Sequence, residues 1–308
     1  MLIAVTGATG FIGRHVVAAL CAAGHGVRAL SRRDAPDLEA LGATLVHGDL
    51  QQRHSLTALL AGVDAVVHAA GAILAPDGTA YATVNAAGAA NVAEALAEGR
   101  LLVHVSSLAA REPGISVYAA SKAQGERLVL EQTRRLHIVV VRPPAVYGPG
   151  DRSTLPIFRA IDRGWLLHPA EPAARFSLLY ASELAQLIVA LLKQPPASGT
   201  TLEPDDGTPG GYAWAELATI AQTATGRRVR AFGLPKPPLA VAAKLAEGYA
   251  ARRGRVPVLA RGKVEEFFHR NWVCDTSGLA AATSWRPRMR FAAGVGATLG
   301  WYRDAGWL

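Results

Sequence analysis

The stretch Thr6-Gly7-Ala8-Thr9-Gly10-Phe11-Ile12-Gly13 constrains this chain more than any other, because glycine recurs at every third position between two patterned segments. Before it, Leu2 to Val5 is an apolar run of strand length; after it, Phe11 to Ala23 carries helical apolar spacing. A glycine at every third position can simply pack a helix against a strand. In a strand-turn-helix, however, glycines also let the backbone turn sharply and approach a pyrophosphate, while the helix N-terminus offers unpaired N–H groups and partial positive charge. Gly7, Gly10, Phe11, Ile12 and Gly13 are therefore candidate contacts for a dinucleotide.

Apolar runs of strand length at 2–6, 26–31, 43–47, 64–68, 101–106 and 136–142 alternate with helical patterns through the first half. This predicts an α/β fold, a doubly wound parallel Rossmann sheet with helices on both faces. Ligands of such sheets bind beyond the carboxyl ends of the strands. After Gly148-Pro149-Gly150-Asp151 the pattern loosens, with Pro-rich breaks at 195–196, 204–211 and 235–238. The expected organisation is a dinucleotide-binding domain over 1–150, with a strand and helix at 175–193 returning to it, and a smaller mixed substrate lobe from 151–174 and 194–308.

The chain has 308 residues, half of them apolar, enough for one large α/β domain with a lobe. Cys21 and Cys274 lack metal-ligand spacing and predict free thiols in a reducing compartment, so no metal is expected. Met1 runs straight into the first strand and no uncharged apolar stretch could span a bilayer, which predicts a cytosolic protein. The net charge of +8 fits an arginine-rich solvated face as well as a phosphorylated substrate or an anionic membrane surface. Nucleic acid is not an expected partner.

Tyr118-Ala119-Ala120-Ser121-Lys122 puts its tyrosine and lysine on one face of a helix, since residues four apart are neighbours there. A tyrosine hydroxyl ionises near pH ~10, too high for an acid/base group working at neutral pH. A nearby ammonium favours the phenolate, and reaching the neutral range takes only ~4 kcal/mol of differential stabilisation. Ser106-Ser107 closes the predicted strand at 101–106, where a hydroxyl can hold a carbonyl oxygen while Tyr118 supplies the proton.

With these residues the chain resembles the extended short-chain dehydrogenase/reductase family, over essentially its whole length. The landmarks arrive in family order: Thr6 to Gly13, Gly48-Asp49-Leu50, Val67-His68-Ala69-Ala70-Gly71, Val84-Asn85-Ala86-Ala87-Gly88, Val105-Ser106-Ser107, Tyr118 to Lys122, and Arg142-Pro143-Pro144-Ala145-Val146-Tyr147-Gly148-Pro149-Gly150-Asp151. The resemblance implies that Ser107 polarises the substrate oxygen, Tyr118 transfers the proton, and Lys122 binds the nicotinamide ribose and lowers the tyrosine pKa. Asn85 matches the residue that helps to hold a proton-relay water. Asp49 and Leu50 would lie against adenine, Ala69 and Ala70 against the middle of the cofactor, and Pro143 and Val146 beside the nicotinamide. His68 and His104 are expected to fill structural positions. Relatives include homodimers paired through two helices as well as monomers, so either state is expected.

The second strand ends in Ser31-Arg32-Arg33, with Asp34 too late to bind the ribose hydroxyls. NADP(H) is therefore expected over NAD, with Arg32 and Arg33 as ligands of its 2′-phosphate. Sugar-nucleotide members carry an asparagine where this chain has Ala145, and sugar dehydratases an Asp-Glu pair where it has Leu108-Ala109. Losing those hydrogen-bonding groups favours a less polar ketone. Pro235 to Leu259, an apolar helical stretch with Arg252, Arg253 and Arg255 beyond it, suits peripheral contact with a membrane on its cytosolic side or a lipid-sized pocket as well as ordinary core. The sharpest expectation is reduction of a keto-sphingoid base or oxidised ceramide. The alternatives are a nucleotide-sugar epimerase or dehydratase and a cofactor-binding structural or regulatory protein.

Overall fold

The computed structural model describes every residue except Gly254, Arg255 and Val258, so that part of the basic segment expected at 235–259 lies outside the described residues. Six strands appear at or within a residue of the predicted runs: β1 (Leu2–Thr6), β2 (Gly26–Ser31), β3 (Thr44–His47), β4 (Ala65–His68), β5 (Leu101–Val105) and β6 (His137–Val141). With a seventh strand, Thr200–Leu202, they form one sheet in the order Thr200–Leu202, β6, β5, β4, β1, β2, β3. Every pairing in it is parallel. The chain is thus a Rossmann-like α/β fold.

The reason lies in the strand sequences. Ile3, Ala4 and Val5, Ala65 to Val67, and Ile138 to Val141 are fully buried, as parallel strands covered on both faces must be. Leu56, Leu59, Val92, Leu96, Leu102, Val129 and Ile138 join one aliphatic cluster. Each such side chain contributes about 1.5–3 kcal/mol of burial free energy. From β1 the chain winds outward to β3, then returns to lay β4 on the other side of β1. The carboxyl ends of β1 and β4 therefore flank the point where strand order reverses, the place where such sheets open a crevice.

The chain divides into two compact units, one of 1–143, 184–204 and 275–286, the other of 144–183, 205–274 and 287–308. The expected return of 175–193 holds for its helical part, since residues from Leu184 onward belong to the first unit, and needs correction for its strand. Strands Arg175–Phe176 and Leu178–Tyr180 pair instead with Asn271–Trp272 and Ala145–Tyr147, inside the second unit. The strand that extends the main sheet is Thr200–Leu202, laid beside β6 after helix Ala181–Lys193. The second unit also pairs Trp165–Pro169 with Arg230–Leu234. Its core is aromatic: Tyr147 packs against Phe158, Tyr180 and Phe291, and Phe158 against Tyr302.

Candidate active site

Helix α1 (Phe11–Ala22) begins directly after the glycine turn. Gly7 has φ +68°, and a Cβ there would stand 2.5 Å from the backbone nitrogen of Ala70, so only glycine lets the β1 turn meet the β4 loop. A Cβ on Gly13 would lie 2.0 Å from the Gly7 carbonyl oxygen. The helix start is bare: Gly10 provides no side-chain cap and the first turn holds no acidic residue. Helix Val117–Leu130, by contrast, is capped, the Ser116 hydroxyl accepting from Ala119 N at 3.0 Å. A bare N-terminus at the strand-order reversal fits a pyrophosphate, so the residues present suit a dinucleotide. Gly7, Gly10, Phe11, Ile12, Gly13, Ala69 and Ala70 converge here.

At the end of β2, Arg32 and Arg33 are exposed, and the Arg32 guanidinium stands 4.0 Å from Asp49. Asp34 faces His47 at 3.6 Å. Asp49 also accepts from Gln51 N at 2.9 Å, and the Leu50 carbonyl accepts from the Asn91 amide at 3.0 Å. Pro143 is buried, its carbonyl accepting from Leu108 N at 2.9 Å. Val146 belongs to the second unit, in the strand Ala145–Tyr147.

Helix Val117–Leu130 carries the tyrosine and lysine. Tyr118 is half-buried, its ring 6.1 Å from that of Tyr81. Lys122 is buried and donates to the Val105 carbonyl at 3.0 Å. Burial lowers its pKa to about 8, partly opposed by the Glu126 carboxylate. Ser107 follows β5; its Oγ accepts from Ala109 N at 3.2 Å, which leaves its O–H to donate. Ser106 instead points inward, with its Oγ buried and without a protein partner.

Asn85 sits in a π-helical turn, Thr83–Ala87, where one extra residue per turn re-aims its side chain. Its Oδ1 accepts from Ala72 N at 2.7 Å, and its amide donates to Ala72 O at 3.0 Å and Ser121 Oγ at 2.9 Å. The hydroxyl of Ser121 donates in turn to the Tyr118 carbonyl at 2.7 Å. Asn85 therefore ties the loop after β4 to the helix bearing Tyr118. The turn fits because a Cβ on Gly125 would stand 2.2 Å from the Asn85 carbonyl oxygen.

Three features escape the sequence reading. Glu126, buried one turn beyond Lys122, receives Arg142 through Nε at 2.9 and 3.1 Å and through Nη2 at 2.6 Å. Arg142 also reaches Glu203 at 3.4 Å, which pairs with Arg111 at 3.3 Å. The 118-122-126 spacing was the available signal, since it sets Glu126 on the same helical row. Second, His68 and His104 stack with ring centroids 5.3 Å apart. His68 Nδ1 meets the Thr6 hydroxyl at 2.7 Å, and burial first, then the Lys122 charge, lowers the His68 pKa to about 3. Third, apolar side chains are exposed near Tyr118: Val117, its chain neighbour, at 55%, and Ile73 and Leu74 at 54% and 50%, the Ile73 carbonyl accepting at 3.2 Å from Tyr81, whose ring faces that of Tyr118. Among the described residues, no cluster of histidine, cysteine, aspartate and glutamate could hold a metal ion.

This arrangement defines a dinucleotide-dependent enzyme whose helix presents a phenol and an ammonium at the strand-order reversal. Residues 3–202 match the model of the NAD dependent epimerase/dehydratase family, and the chain belongs to that family. It is similar to a ceramide reductase from Caulobacter vibrioides, 36% identical over 100% of this chain and 96% of that protein. It is also similar to 4-hydroxy-2-methyl-3-oxo-4-farnesyl-3,4-dihydroquinoline-1-oxide ketoreductase from Stigmatella aurantiaca, 36% identical over 49% of this chain and 52% of that protein. Among solved structures, UDP-glucuronic acid 4-epimerase from Bacillus cereus, in complex with NAD, shares the fold with TM-score 0.75, 17% identity and full coverage of both chains. The chain is an NAD(P)-dependent oxidoreductase.

Proposed function

We propose that this protein is an NADP(H)-dependent reductase of a ketone on a largely apolar, lipid-like molecule, with a keto-sphingoid base or oxidised ceramide as the sharpest candidate. The observation that carries this reading is the exposure of the large apolar side chains Ile73, Leu74 and Val117 on the segments that carry and face Tyr118. Exposed apolar side chains near a catalytic hydroxyl suit an apolar substrate that covers them. The names of the relatives, a ceramide reductase and a farnesylated quinoline ketoreductase, support the same substrate class.

A nicotinamide dinucleotide held at Gly7, Gly10, Gly13 and Lys122 would supply the hydride that the carbonyl carbon takes up. The Ser107 hydroxyl donates to the carbonyl oxygen and stabilises the negative charge that develops there. Tyr118 gives its phenolic proton to that oxygen, so that carbonyl, hydride and proton together make the alcohol. Lys122, charged below pH about 8, stabilises the phenolate left behind. Asn85 keeps the helix and the loop after β4 in register. Arg32, its side chain 81% exposed at the end of β2, and Arg33 offer guanidinium groups to a 2′-phosphate.

The test is cofactor fluorescence titration with NADPH and NADH, followed by substrate-dependent loss of NADPH absorbance on apolar ketones and on nucleotide sugars. Tighter binding of NADPH, reversed in Arg32→Ala/Arg33→Ala, with oxidation on an apolar ketone is the expected outcome. Turnover of a nucleotide sugar without net NADPH loss would replace this reading with the epimerase.

A further inference from the structure

In the second unit, helix Lys236–Arg252 is held by one side only. Ala243 and Ala250, seven residues apart, are buried, and Lys236 and Glu247 reach helix Arg261–Phe268 through Glu265 at 2.6 Å and Arg261 at 2.8 Å. The opposite face carries Val241, Leu245 and Tyr249, spaced by four, at 59%, 69% and 57% exposure. Large apolar side chains on one helical row are neighbours and form a continuous stripe.

The adjoining row is cationic. Lys244 and Arg252 stand three residues after Val241 and Tyr249 and are exposed, and the Arg253 guanidinium lies over the Tyr249 ring at 5.5 Å. The helix has one acidic residue, Glu247, and it is paired with Arg261. The outward rows therefore offer apolar surface bordered by positive charge alone. The strand Arg230–Leu234, which leads into this helix, leaves Phe232 49% exposed beside its register partner Leu167 at 39%.

Charge decides between coverings. Two copies meeting through this face about a two-fold axis would bring Lys244 and Arg252 against cations of the same face, with no carboxylate to offset them. An anionic lipid surface accepts both rows, with stripe side chains among the acyl chains and cations at headgroup phosphates. The net charge of +8 acts in the same direction. We propose that helix Lys236–Arg252 docks on an anionic lipid surface through Val241, Leu245 and Tyr249, with Lys244, Arg252 and Arg253 at the headgroups. No helix among the described residues is long and apolar enough to cross a membrane, which is consistent with contact from one side. The proposal stands without the substrate assignment, because vesicle binding is read without turnover.

The experiment sediments the full-length chain with vesicles of phosphatidylcholine alone and of phosphatidylcholine with phosphatidylglycerol, at low and physiological salt. Binding is expected on the anionic vesicles, weakened by salt and reduced about tenfold or more in both Leu245→Ser/Tyr249→Ser and Lys244→Glu/Arg252→Glu. NADPH affinity and melting temperature report whether each variant is folded. Tyr249→Trp adds a readout on an intact face: its emission should shift to the blue and be quenched by brominated lipid. No binding by the unaltered chain, equal binding by the stripe variant, or an emission spectrum of Tyr249→Trp that vesicles leave unshifted overturns the proposal. A dimer that dissociates in Leu245→Ser/Tyr249→Ser while vesicles go unbound also overturns it, in favour of a second copy.

Discussion

The two units are built from different materials. The first is aliphatic, a sheet of valine, isoleucine, leucine and alanine whose buried polar groups include Lys122, Asn85, Glu126 and the two histidines, near the carboxyl ends of β4 to β6. The second is aromatic, with rings of Tyr147, Phe158, Tyr180, Phe291 and Tyr302 in edge and stacked contact. A sheet of small branched residues fixes the backbone finely, so polar atoms can be aimed from its strand ends. Ring packing fills an irregular volume but sets no repeated register. On the proposed reading, proton chemistry belongs to the first unit, which holds Tyr118 and Lys122.

That assignment meets its severest trial in Tyr118→Phe, which removes one oxygen from the first unit. Turnover is expected to fall on the order of 10²–10⁴-fold, with NADPH affinity nearly unchanged. Activity within threefold of the unaltered enzyme would move the proton donor elsewhere.

Glycine substitutions sharpen the contrast next. In the first unit, a Cβ at Gly13 meets a backbone oxygen at 2.0 Å that cannot withdraw without opening the dinucleotide turn. In the second, a Cβ at Gly294 meets the Tyr147 hydroxyl at 2.1 Å, the far end of a side chain. Gly13→Ala should cost more than the ~1–3 kcal/mol expected of overpacking at Gly294→Ala. Calorimetry should also find that Tyr147→Phe recovers part of the loss only for Gly294→Ala. Equal costs, or rescue of neither, would erase the distinction.

The smallest effect is a displaced pH limb. Lys122 is charged below pH about 8 and loses its proton above it, so kcat/KM should decline as pH rises through that value. The Glu126 carboxylate raises this pKa, so Glu126→Gln should move the alkaline limb to lower pH while Glu126→Asp leaves it nearly in place. A limb that stays put in Glu126→Gln would reduce Glu126 to a tether for Arg142.

Legibility followed the same division. β1 to β6 were readable because a buried parallel strand is a short apolar run between turn residues, and the glycine spacing fixed the turn after β1. The Tyr118/Lys122 pair was readable from helical spacing. The joins in the second unit were not, because Tyr147 meets Phe291 across more than a hundred residues with no local period to announce it. For the same reason 175–180 passed for a strand of the main sheet, although its partners are Ala145–Tyr147 and Asn271–Trp272. Asn85 was visible as a residue but not as a brace, since Thr83 to Ala87 reads the same whether its turn holds one residue more or one fewer.

That surplus residue determines which kind of mutation the region can absorb. Side-chain exchanges at Thr83 or Ala87, both exposed, leave the winding of the chain intact. Removing any one residue between Thr83 and Ala87 would restore ordinary helical winding, leaving the helices on either side in phase but taking away the wide turn that aims Asn85. Asn85 would then face away from Ala72, and its carbonyl would leave the gap at Gly125. Length, more than composition, is therefore the inherited quantity in this segment, and related sequences that keep the chemistry should vary in its letters without changing their number.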